Sequence, residues 1–331
     1  MKLAVLKAPQ RFEVIDVEVP AIGPDEVLLR VAACGVCGSE LDMWHGETDR
    51  TYPIHPGHEV SGVVEKVGSQ VDTLRPGDRV AAWVTERGFS EYVAVKAAFC
   101  LPAGDLPLDL ALAEPLACAV NAVELADPQL GDDVLVVGTG FMGALILKLM
   151  GLRGPRLLIA ADTRPSALEL ASRLGATHTV EVIREPLAER VKSLTERPPS
   201  GVFGNVDPAD ELGADVSFEV TGFERPLVDV GDATRMAGKL VIVGFHQGGT
   251  RAVPLGAWNW KALKVVNAHF REVATIMHGM RVGMRLLVSG RIRLDDLVTH
   301  RYSLDEVGDA FAVAYDKPDG FLKSTVVVSE S

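Results

Sequence analysis

The chain of 331 residues has little cysteine and no excess of positive charge. Its four cysteines, Cys34, Cys37, Cys100 and Cys118, are too few for the disulfide framework of a secreted protein. Lys and Arg number 33 against 45 Asp and Glu, so the formal net charge is -12. Nucleic acids and anionic membrane surfaces attract clustered positive charge. We therefore expect neither a nucleic acid nor a membrane as a partner.

Long uninterrupted apolar runs are also lacking. Residues 134–152 approach membrane-spanning length, with Lys148 as their only charge. Gly138, Gly140 and Gly143 divide this stretch into a short strand and a helix, whose apolarity indicates burial in a parallel sheet. The sequence does not open with a basic segment followed by an apolar one, so we expect a reducing cytoplasm as its location.

The chain length and the pattern of elements predict two domains. The first part contains short β-rich runs, including 26–31, 59–67 and 79–84, and favours an all-β module. From about residue 133, strands alternate with helices, which predicts an α/β doubly wound parallel sheet. Its predicted strands are 134–137, 157–161, 216–219 and 240–244, and its predicted helices are 141–150, 165–174 and 226–236.

The segments outside this alternation have their own patterns. Residues 197–212 are rich in Pro, Gly and Asp without apolar periodicity, which predicts a surface loop. After residue 265 we expect two amphipathic helices, 273–289 and 304–315, and a β run at 324–328. This C-terminal segment is predicted to return to the β-rich module.

A dinucleotide-binding fingerprint occupies the start of the alternating part. Gly138-Thr139-Gly140-Phe141-Met142-Gly143 directly follows an apolar strand and opens a helix, which is the context that the motif requires. Gly138 permits the tight turn, Gly140 lets backbone N–H groups approach a pyrophosphate, and Gly143 lets the helix pack against the strand. We therefore predict that these residues, with Phe141 and Met142, bind a dinucleotide.

Asp162 and Arg164, which follow the second predicted strand, bear on whether the cofactor is NAD or NADP. The Asp162 carboxylate is placed to accept hydrogen bonds from the adenosine ribose hydroxyls and would repel a 2′-phosphate. Arg164 would instead stabilise that phosphate. The position of Asp162 favours NAD, and Arg164 keeps NADP as the alternative.

Candidate metal ligands are spread along the first domain. Cys37, His58 and Glu59 supply a thiolate, an imidazole and a carboxylate, which are donors typical of zinc. A catalytic zinc keeps three protein ligands and one exchangeable position, and Glu114 is a candidate for a further donor. Taken singly, each residue has an ordinary alternative as a buried Cys, a satisfied His or a helix-capping Glu.

The surrounding motifs resemble the medium-chain zinc-dependent alcohol dehydrogenase family, in particular its polyol branch of sorbitol or iditol dehydrogenases. They are Gly-Val-Cys-Gly-Ser at 35–39, Gly-His-Glu at 57–59, Pro-Gly-Asp-Arg-Val at 76–80, Glu-Pro-Leu at 114–116 and the glycine fingerprint. The resemblance implies a GroES-like catalytic domain, residues 1–122 and 257–331, and a Rossmann NAD-binding domain, residues 123–256, with zinc in the cleft.

The resemblance also implies roles for particular residues. Cys37 and His58 become zinc ligands, and Glu59 and Glu114 are the two acidic positions, either of which binds directly or through water. Glu114 stands where simple alcohol dehydrogenases commonly have Cys, which favours the polyol branch. The chain lacks the four-cysteine lobe of many relatives, and no second CxxC accompanies Cys34 and Cys37, so one catalytic zinc and no structural zinc are expected.

Substrate contacts are predicted on the same basis. Phe270-Arg271 resembles an arginine-bearing substrate loop, and a guanidinium offers several donors to a substrate with many hydroxyls. A salt bridge is the alternative role for Arg271. Trp44 and His45 are predicted to line the pocket.

The predicted chemistry begins with a metal-assisted loss of a proton. Zinc lowers the pKa of bound water to about 7, and the same Lewis acidity would favour a deprotonated substrate hydroxyl. The proton would leave through Ser39, and the carbon-bound hydrogen would pass as hydride to the nicotinamide.

The predicted proton path departs from the family at two positions. Asp42 stands where relatives often have a proton-carrying His, so we expect it to act as a relay or an ordinary turn carboxylate. Glu40 replaces a common Asp that supports a zinc ligand. His45 is a second candidate for the relay.

The sequence thus favours a zinc- and NAD(H)-dependent oxidoreductase acting on a secondary hydroxyl or ketone of a polyol, cyclitol or sugar-like substrate. The alternatives are a zinc dehydrogenase of simple secondary alcohols, a zinc-free reductase of quinones or activated alkenes, and a catalytically silent NAD-binding relative. By analogy with the family, whose Rossmann domains pair edge to edge, we expect a homodimer or homotetramer.

Overall fold

A computed structural model describes residues 1–195, 211–246 and 248–329. Most of the predicted loop at 197–212 lies outside the described residues. The chain divides into two compact units, residues 1–117 with 272–331 and residues 118–271. The second unit extends past the predicted boundary at 256/257, because its parallel sheet continues through a strand at Lys264–Asn267. Its first residue, Cys118, lies shortly before the predicted start at residue 123.

The elements follow the chain from an all-β region into alternating strands and helices. The strands are β1 (Lys2–Ala8), β2 (Arg11–Asp16), β3 (Glu26–Gly35), β4 (Glu59–Val67), β5 (Arg79–Trp83), β6 (Tyr92–Lys96), β7 (Cys100–Pro102), β8 (Asp133–Val137), β9 (Leu157–Asp162), β10 (His178–Glu181), β11 (Ala214–Glu219), β12 (Thr234–Ile242), β13 (Lys264–Asn267), β14 (His300–Ser303) and β15 (Ser324–Val327). The helices are α1 (Leu41–His45), α2 (Ala113–Ala126), α3 (Phe141–Met150), α4 (Pro165–Arg173), α5 (Leu187–Leu194), α6 (Glu224–Ala233), α7 (Leu255–Trp260), α8 (Val273–Val288) and α9 (Val307–Asp316).

The unit formed by residues 1–117 and 272–331 is built on a largely antiparallel sheet. Its strand order is β14-β15-β3-β4-β5-β7, with β6 also paired to β3 and with β1 and β2 forming a separate ribbon. Strand β15 pairs antiparallel with β3, so the C-terminal segment completes the sheet of the N-terminal region. The core includes Leu29, Val60 and Phe89, packed with Phe311 of α9.

The unit formed by residues 118–271 contains a parallel sheet. Within its described residues the strand order is β10-β9-β8-β11-β12-β13. Counted from β8, this is the order 3-2-1-4-5-6 of a Rossmann fold, whose switch point lies between β8 and β11. Strand β8 is buried throughout, as expected for a sheet covered on both faces. The predicted fold class is confirmed.

The largest difference from the predicted elements lies around β12. The sequence predicted a helix at 226–236 and a strand at 240–244, whereas α6 ends at Ala233 and β12 begins directly at Thr234. Strand β11 pairs with β12 through an irregular register between Ala214 and Val216, which accommodates the extra residues of the early part of β12. None of the described helices is both long and apolar enough to cross a membrane.

Candidate functional site

Three predicted metal donors meet where β3 ends and β4 begins. The antiparallel register places Gly35, the last residue of β3, opposite Glu59, the first residue of β4. Cys37 therefore follows the end of one strand while His58 precedes the start of its neighbour. One donor atom from each of Cys37, His58 and Glu59 lies within 4.8 Å of the others.

His58 is oriented by a buried carboxylate. Its Nδ1 lies 3.0 Å from Oε1 of Glu40, which also accepts the Gly57 N–H at 2.6 Å, while Glu40 Oε2 accepts the Cys37 N–H at 3.3 Å. This contact fixes the ring and directs Nε2 away from Glu40. Carboxylates commonly hold metal-binding histidines in this way.

The same contacts shift two pKa values in opposite directions. Burial lowers the pKa of His58, but the charges and hydrogen bonds of Glu40 and Cys37 outweigh burial and raise it well above its usual range. Burial raises the pKa of Glu40, but His58 and the backbone N–H groups of Gly57 and Cys37 lower it overall. Glu40 is therefore held as a carboxylate.

Glu59 forms a buried ion pair with Lys323. The Lys323 ammonium donates to Oε1 of Glu59 at 2.7 Å and lies 2.6 Å from Oε2, and it also donates to the Val36 carbonyl at 2.8 Å. Oε2 is buried, and its contact with the Lys323 ammonium is ionic, without the geometry of a hydrogen bond. A side chain at Gly35 would collide with this oxygen, so Gly35 makes room for the carboxylate.

Glu114, near the start of α2, lies close enough to interact electrostatically with this cluster. Burial raises the pKa of Glu114. The charges of Glu59 and Glu40 raise it further, whereas those of His58 and Lys323 oppose the increase. Glu114 is not part of the group of three donors within 4.8 Å. The structure thus brings Cys37, His58 and Glu59 together and places Glu114 beside them.

The donor set fits a divalent cation. Thiolate, imidazole and carboxylate are the donors that zinc selects. The donor atoms of Cys37, His58 and Glu59 converge within 4.8 Å of one another, and each carboxylate oxygen of Glu59 keeps a lone pair beyond its contact with Lys323.

The glycine fingerprint forms the turn between β8 and α3. Gly138 has a φ of 91°, a left-handed conformation that glycine adopts without strain. A Cβ at Gly138 would lie 2.7 Å from Cγ2 of Thr221, and one at Gly143 would collide with the Gly138 carbonyl. Gly140 caps α3, which Phe141 and Met142 begin. The glycines therefore permit the close packing that exposes backbone N–H groups at a helix N-terminus.

Asp162 and Arg164 lie beside this turn. Oδ2 of Asp162 accepts the Thr139 N–H at 2.8 Å, and Oδ1 accepts the N–H and Nε–H of Arg164 at 3.0 and 3.2 Å. Burial raises the pKa of Asp162, but the hydrogen bonds and charge of Arg164 and the Thr139 N–H lower it overall. A Cβ at Gly140 would have only the Arg164 guanidinium within 4 Å, at 3.8 Å. The turn at Gly140 is therefore open and has the Arg164 guanidinium nearby, which suits the binding of a pyrophosphate.

Comparison with known proteins places both regions in one family. The family model "Alcohol dehydrogenase GroES-like domain" matches residues 23–105, and "Zinc-binding dehydrogenase" matches residues 138–281. The chain is 30% identical to sorbitol dehydrogenase of Gallus gallus, over 88% of this chain and 87% of that protein. It belongs to the medium-chain zinc-dependent alcohol dehydrogenase family.

Two further relatives support this membership. D-arabinitol dehydrogenase 1 of Uromyces fabae is 29% identical over 91% of this chain and 90% of that protein. The crystal structure of 2R,3R-butanediol dehydrogenase from Bacillus subtilis superposes with a TM-score of 0.81 at 26% identity, covering 99% of each chain. As a member of this family, the protein is an enzyme that uses zinc and a nicotinamide cofactor to oxidise CH–OH groups.

Ser39 and Asp42 of this dehydrogenase lie on the segment that follows Cys37. The Ser39 hydroxyl donates to Cys37 Sγ at 3.3 Å, so it is adjacent to the donor cluster. Asp42 is in the first turn of α1 and is partly buried. Burial and the charge of Glu47 raise the pKa of Asp42, and His45 opposes this increase.

The predicted substrate residues Trp44 and His45 pack against α9. Trp44 is buried in the hydrophobic core, with its ring 6.5 Å from that of Phe311 and 5.7 Å from that of Tyr315. The His45 ring stacks on Tyr315 at a centroid distance of 4.4 Å, and its Nδ1 contacts Glu47. These contacts give both residues a packing role, and substrate binding by them stays a prediction.

Arg271 is the last residue of the parallel-sheet unit. It is exposed, and its guanidinium donates to the carbonyl of Phe270 at 3.0 Å. No ion pair involves Arg271 among the described residues. Its role toward substrate stays a prediction.

Sequence reasoning missed two residues of the cluster. Lys323 was not singled out, although a lone cation next to the apolar run 324–328 is a signal that it has a buried partner. Glu40 was treated as a departure from the family, yet the structure shows it in contact with His58. The longer Glu side chain spans the distance to that ring.

Proposed function

We propose that this enzyme oxidises a secondary hydroxyl of a polyol, cyclitol or sugar-like substrate with NAD, and reduces the corresponding ketone in reverse. The observation that carries the proposal is the cluster of Cys37, His58 and Glu59, with Glu114 beside it. The relatives named for sorbitol, D-arabinitol and 2R,3R-butanediol support a substrate with neighbouring hydroxyls. Simple secondary alcohols are the alternative substrate class.

The proposed metal ligands are Cys37, His58 and one or both of Glu59 and Glu114. Zinc bound there would supply Lewis acidity that lowers the pKa of a substrate hydroxyl. Glu40 would keep the His58 ring in place, and Lys323 would hold Glu59 through Oε1. Glu114 would bind either directly or through water. We propose one zinc per chain.

Proton transfer from the substrate is assigned to Ser39, with Asp42 as the next acceptor. Ser39 Oγ lies beside Cys37, which places a hydroxyl next to the proposed metal ligands. To pass a proton, this hydroxyl would turn from Cys37 Sγ toward the substrate oxygen. The raised pKa of Asp42 makes its carboxylate a better proton acceptor than an ordinary surface Asp.

NAD is the proposed hydride acceptor, bound by the fingerprint and Asp162. Gly138, Gly140 and Gly143 would admit the pyrophosphate at the N-terminus of α3, where Phe141 and Met142 supply backbone N–H groups. The lowered pKa of Asp162 keeps a negative charge that favours ribose hydroxyls over a 2′-phosphate. The Arg164 guanidinium partly offsets that negative charge, so measurable but weaker binding of NADP is expected.

We also propose that two copies of the chain pair through β13. This strand stands at one end of the described parallel sheet, so its outer edge is open to a further strand. Val265 of β13, and Leu255 and Trp260 of the preceding helix α7, are large apolar residues that are exposed in the single chain. A homodimer or a tetramer of such dimers would cover them. None of the four cysteines is in a disulfide, which fits the cytoplasm.

A substrate and metal experiment tests this function. The zinc content of the purified enzyme is measured, and kcat/KM is compared for polyols, cyclitols and matched alcohols with a single secondary hydroxyl, with NAD and NADP in parallel. We expect one zinc per chain, the highest kcat/KM with a polyol or cyclitol and NAD, and loss of turnover after chelation that zinc restores. Full activity without zinc, or preference for the single alcohol, would contradict the proposal.

A further inference from the structure

A buried carboxylate and imidazole pair lies in the parallel-sheet unit, outside the residues used above. Glu219 is the last residue of β11 and is completely buried. Its Oε2 lies 2.7 Å from Nε2 of His246, which follows the end of β12. The pair therefore joins two neighbouring strand ends.

The hydrogen bonds around Glu219 leave one atom of His246 without a partner. Glu219 Oε1 accepts the N–H groups of Thr221 and Gly222 at 2.7 and 3.0 Å, as well as the Thr221 hydroxyl. With Nε2–H donating to Oε2, a neutral His246 ring has Nδ1 as an acceptor. Among the described residues, this buried Nδ1 has no hydrogen-bond partner.

An unpaired buried acceptor calls for a physical explanation. Most buried polar side-chain atoms in folded proteins have a protein or water partner, because leaving one unpaired is costly. Functional sites are where such exceptions concentrate, since a ligand supplies the missing partner. In this tautomer, a ligand with an N–H or O–H donor would supply the partner that the described residues do not give His246 Nδ1.

The position of Glu219 and His246 in the sheet indicates which ligand would contact His246 Nδ1. The segments after β8, β11 and β12 are contiguous: a Cβ at Gly138 would lie 2.7 Å from Thr221, and a Cβ at Gly222 would lie 2.8 Å from the Phe245 carbonyl. A Rossmann sheet binds one mononucleotide over each half, outside the carboxyl ends of its strands. Asp162 is the last residue of β9 and marks the adenosine half, so His246 belongs to the nicotinamide half.

Aromatic side chains at the same edge suit a planar ring. Phe245, next to His246, is 39% exposed despite its large apolar side chain. Its ring lies 6.2 Å from that of His269, edge to face, and His269 follows β13. An aromatic ligand ring would cover this exposed apolar surface.

We propose that His246, held in place by Glu219, binds the nicotinamide nucleoside of the cofactor through Nδ1. The nucleoside offers the required donors in its carboxamide N–H and its ribose hydroxyls. His246 is thus a cofactor-binding residue and Glu219 a positioning residue that sets the ring orientation. This inference rests on the dinucleotide site proposed above and assigns the second half of that site.

The alternative is that the pair only fastens the segment after β12 to the end of β11. A purely structural pair would affect every ligand of the unit alike, or only the stability of the fold. A contact with the nicotinamide nucleoside would affect ligands that carry that group and leave ADP unaffected, because ADP lacks both the nicotinamide and its ribose. Dissociation constants for the two kinds of ligand therefore separate the interpretations.

The test uses the full-length enzyme and equilibrium binding rather than turnover. The variants are His246→Phe, which keeps a ring but removes both nitrogens, and His246→Gln, whose amide offers both a donor and an acceptor. His178→Phe is the control, because His178 begins β10, at the other edge of the sheet from β12 and β13. Dissociation constants are measured for NAD, 3-acetylpyridine adenine dinucleotide and ADP.

We expect His246→Phe to weaken NAD binding about fivefold or more, the effect of one lost hydrogen bond, with ADP affinity unchanged within about twofold. His246→Gln should recover part of the loss, and His178→Phe should bind all three ligands normally. If the carboxamide is the donor, the acetylpyridine analogue, which lacks its N–H, should be insensitive to His246→Phe. If a ribose hydroxyl is the donor, the analogue should weaken as NAD does.

Two results would overturn the inference without touching the dinucleotide site. They are an unchanged NAD affinity in His246→Phe, and an equal loss for NAD and ADP in that variant. Failure of the wild-type enzyme to bind ADP or NAD would instead overturn the proposed dinucleotide site itself. ADP binding also reports whether the variant unit is folded.

Discussion

Lys323 Nζ lies 2.6 Å from Oε2 of Glu59, and both side chains are almost entirely buried. Lys323 precedes β15 and Glu59 begins β4, so the pair connects the C-terminal segment to the N-terminal sheet. Burial lowers the pKa of Lys323, but Glu59 and Cys37 outweigh burial and raise it overall. The lysine is therefore held in its charged form beside a proposed metal ligand.

Removing only the cation should destabilise the metal-free enzyme. We expect Lys323→Met to lower the free energy of unfolding by about 3–5 kcal/mol, because Glu59 is left as an uncompensated buried charge. The double variant Lys323→Met with Glu59→Gln should recover much of this loss. Chemical denaturation of the metal-free proteins measures both effects.

A surface ion pair provides the control for this experiment. Arg293 and Asp295 also form a close ion pair, but their side chains are 75% and 50% exposed. Arg293→Met should change the free energy of unfolding by less than about 1 kcal/mol. If Lys323→Met cost no more than Arg293→Met, the ion pair would not have the structural role assigned to it.

Zinc affinity should depend on Glu40, although Glu40 is not a proposed ligand. Glu40→Gln removes the charge that orients His58 and is expected to weaken zinc binding by about 10–100-fold. Competition with a chromogenic chelator measures the dissociation constant. Glu47→Gln is the control, because Glu47 contacts His45 on the exposed side of the same segment. Equal zinc affinity in wild type and Glu40→Gln would rule out this supporting role.

Local patterns sufficed to predict the Rossmann sheet. The glycine fingerprint and the apolar runs at β8 and β9 depend on neighbouring residues, so α3 was predicted with the same limits as in the structure. The early part of β12 could not be predicted in this way. Thr234 and Arg235 lack an apolar pattern, and their strand conformation comes from pairing with β11.

The candidate metal site was only partly predictable for a related reason. Cys37, His58 and Glu59 belong to short motifs, and the register of β3 and β4 brings them together. Lys323 is far from Glu59 in sequence, and only the pairing of β15 with β3 brings it near. Such a contact depends on the topology of the whole sheet, which local periodicity does not encode.

The space occupied by the Glu59 carboxylate predicts that alanine substitutions at Gly35 and Gly38 have very different effects on stability. A methyl group at Gly35 would collide with the Glu59 carboxylate, whereas a Cβ at Gly38 would have no neighbour within 4 Å. Gly35→Ala should therefore displace Glu59, lowering both the melting temperature and zinc affinity. Gly38→Ala should leave the melting temperature nearly unchanged. Differential scanning fluorimetry with and without zinc checks this, and similar melting temperatures for the two variants would contradict the geometry.

The buried thiol of Cys100 predicts a loss of stability in alkali. Burial raises the pKa of Cys100 from 9.0 to about 12. Above pH 9 the unfolded chain loses this proton while the folded chain retains it, so the unfolded state binds fewer protons and stability falls as pH rises toward 12. The contribution of the buried thiol is complete below pH 9 and is lost across this window.

Comparison with Cys100→Ala isolates this contribution from the other groups that titrate in alkali. The free energy of unfolding is measured by denaturation of both proteins between pH 8 and pH 11. The wild type should lose up to about 1.4 kcal/mol more per pH unit above pH 9 than the variant, which corresponds to one proton. Parallel pH profiles for the two proteins would show that the folded chain ionises Cys100 as readily as the unfolded chain does.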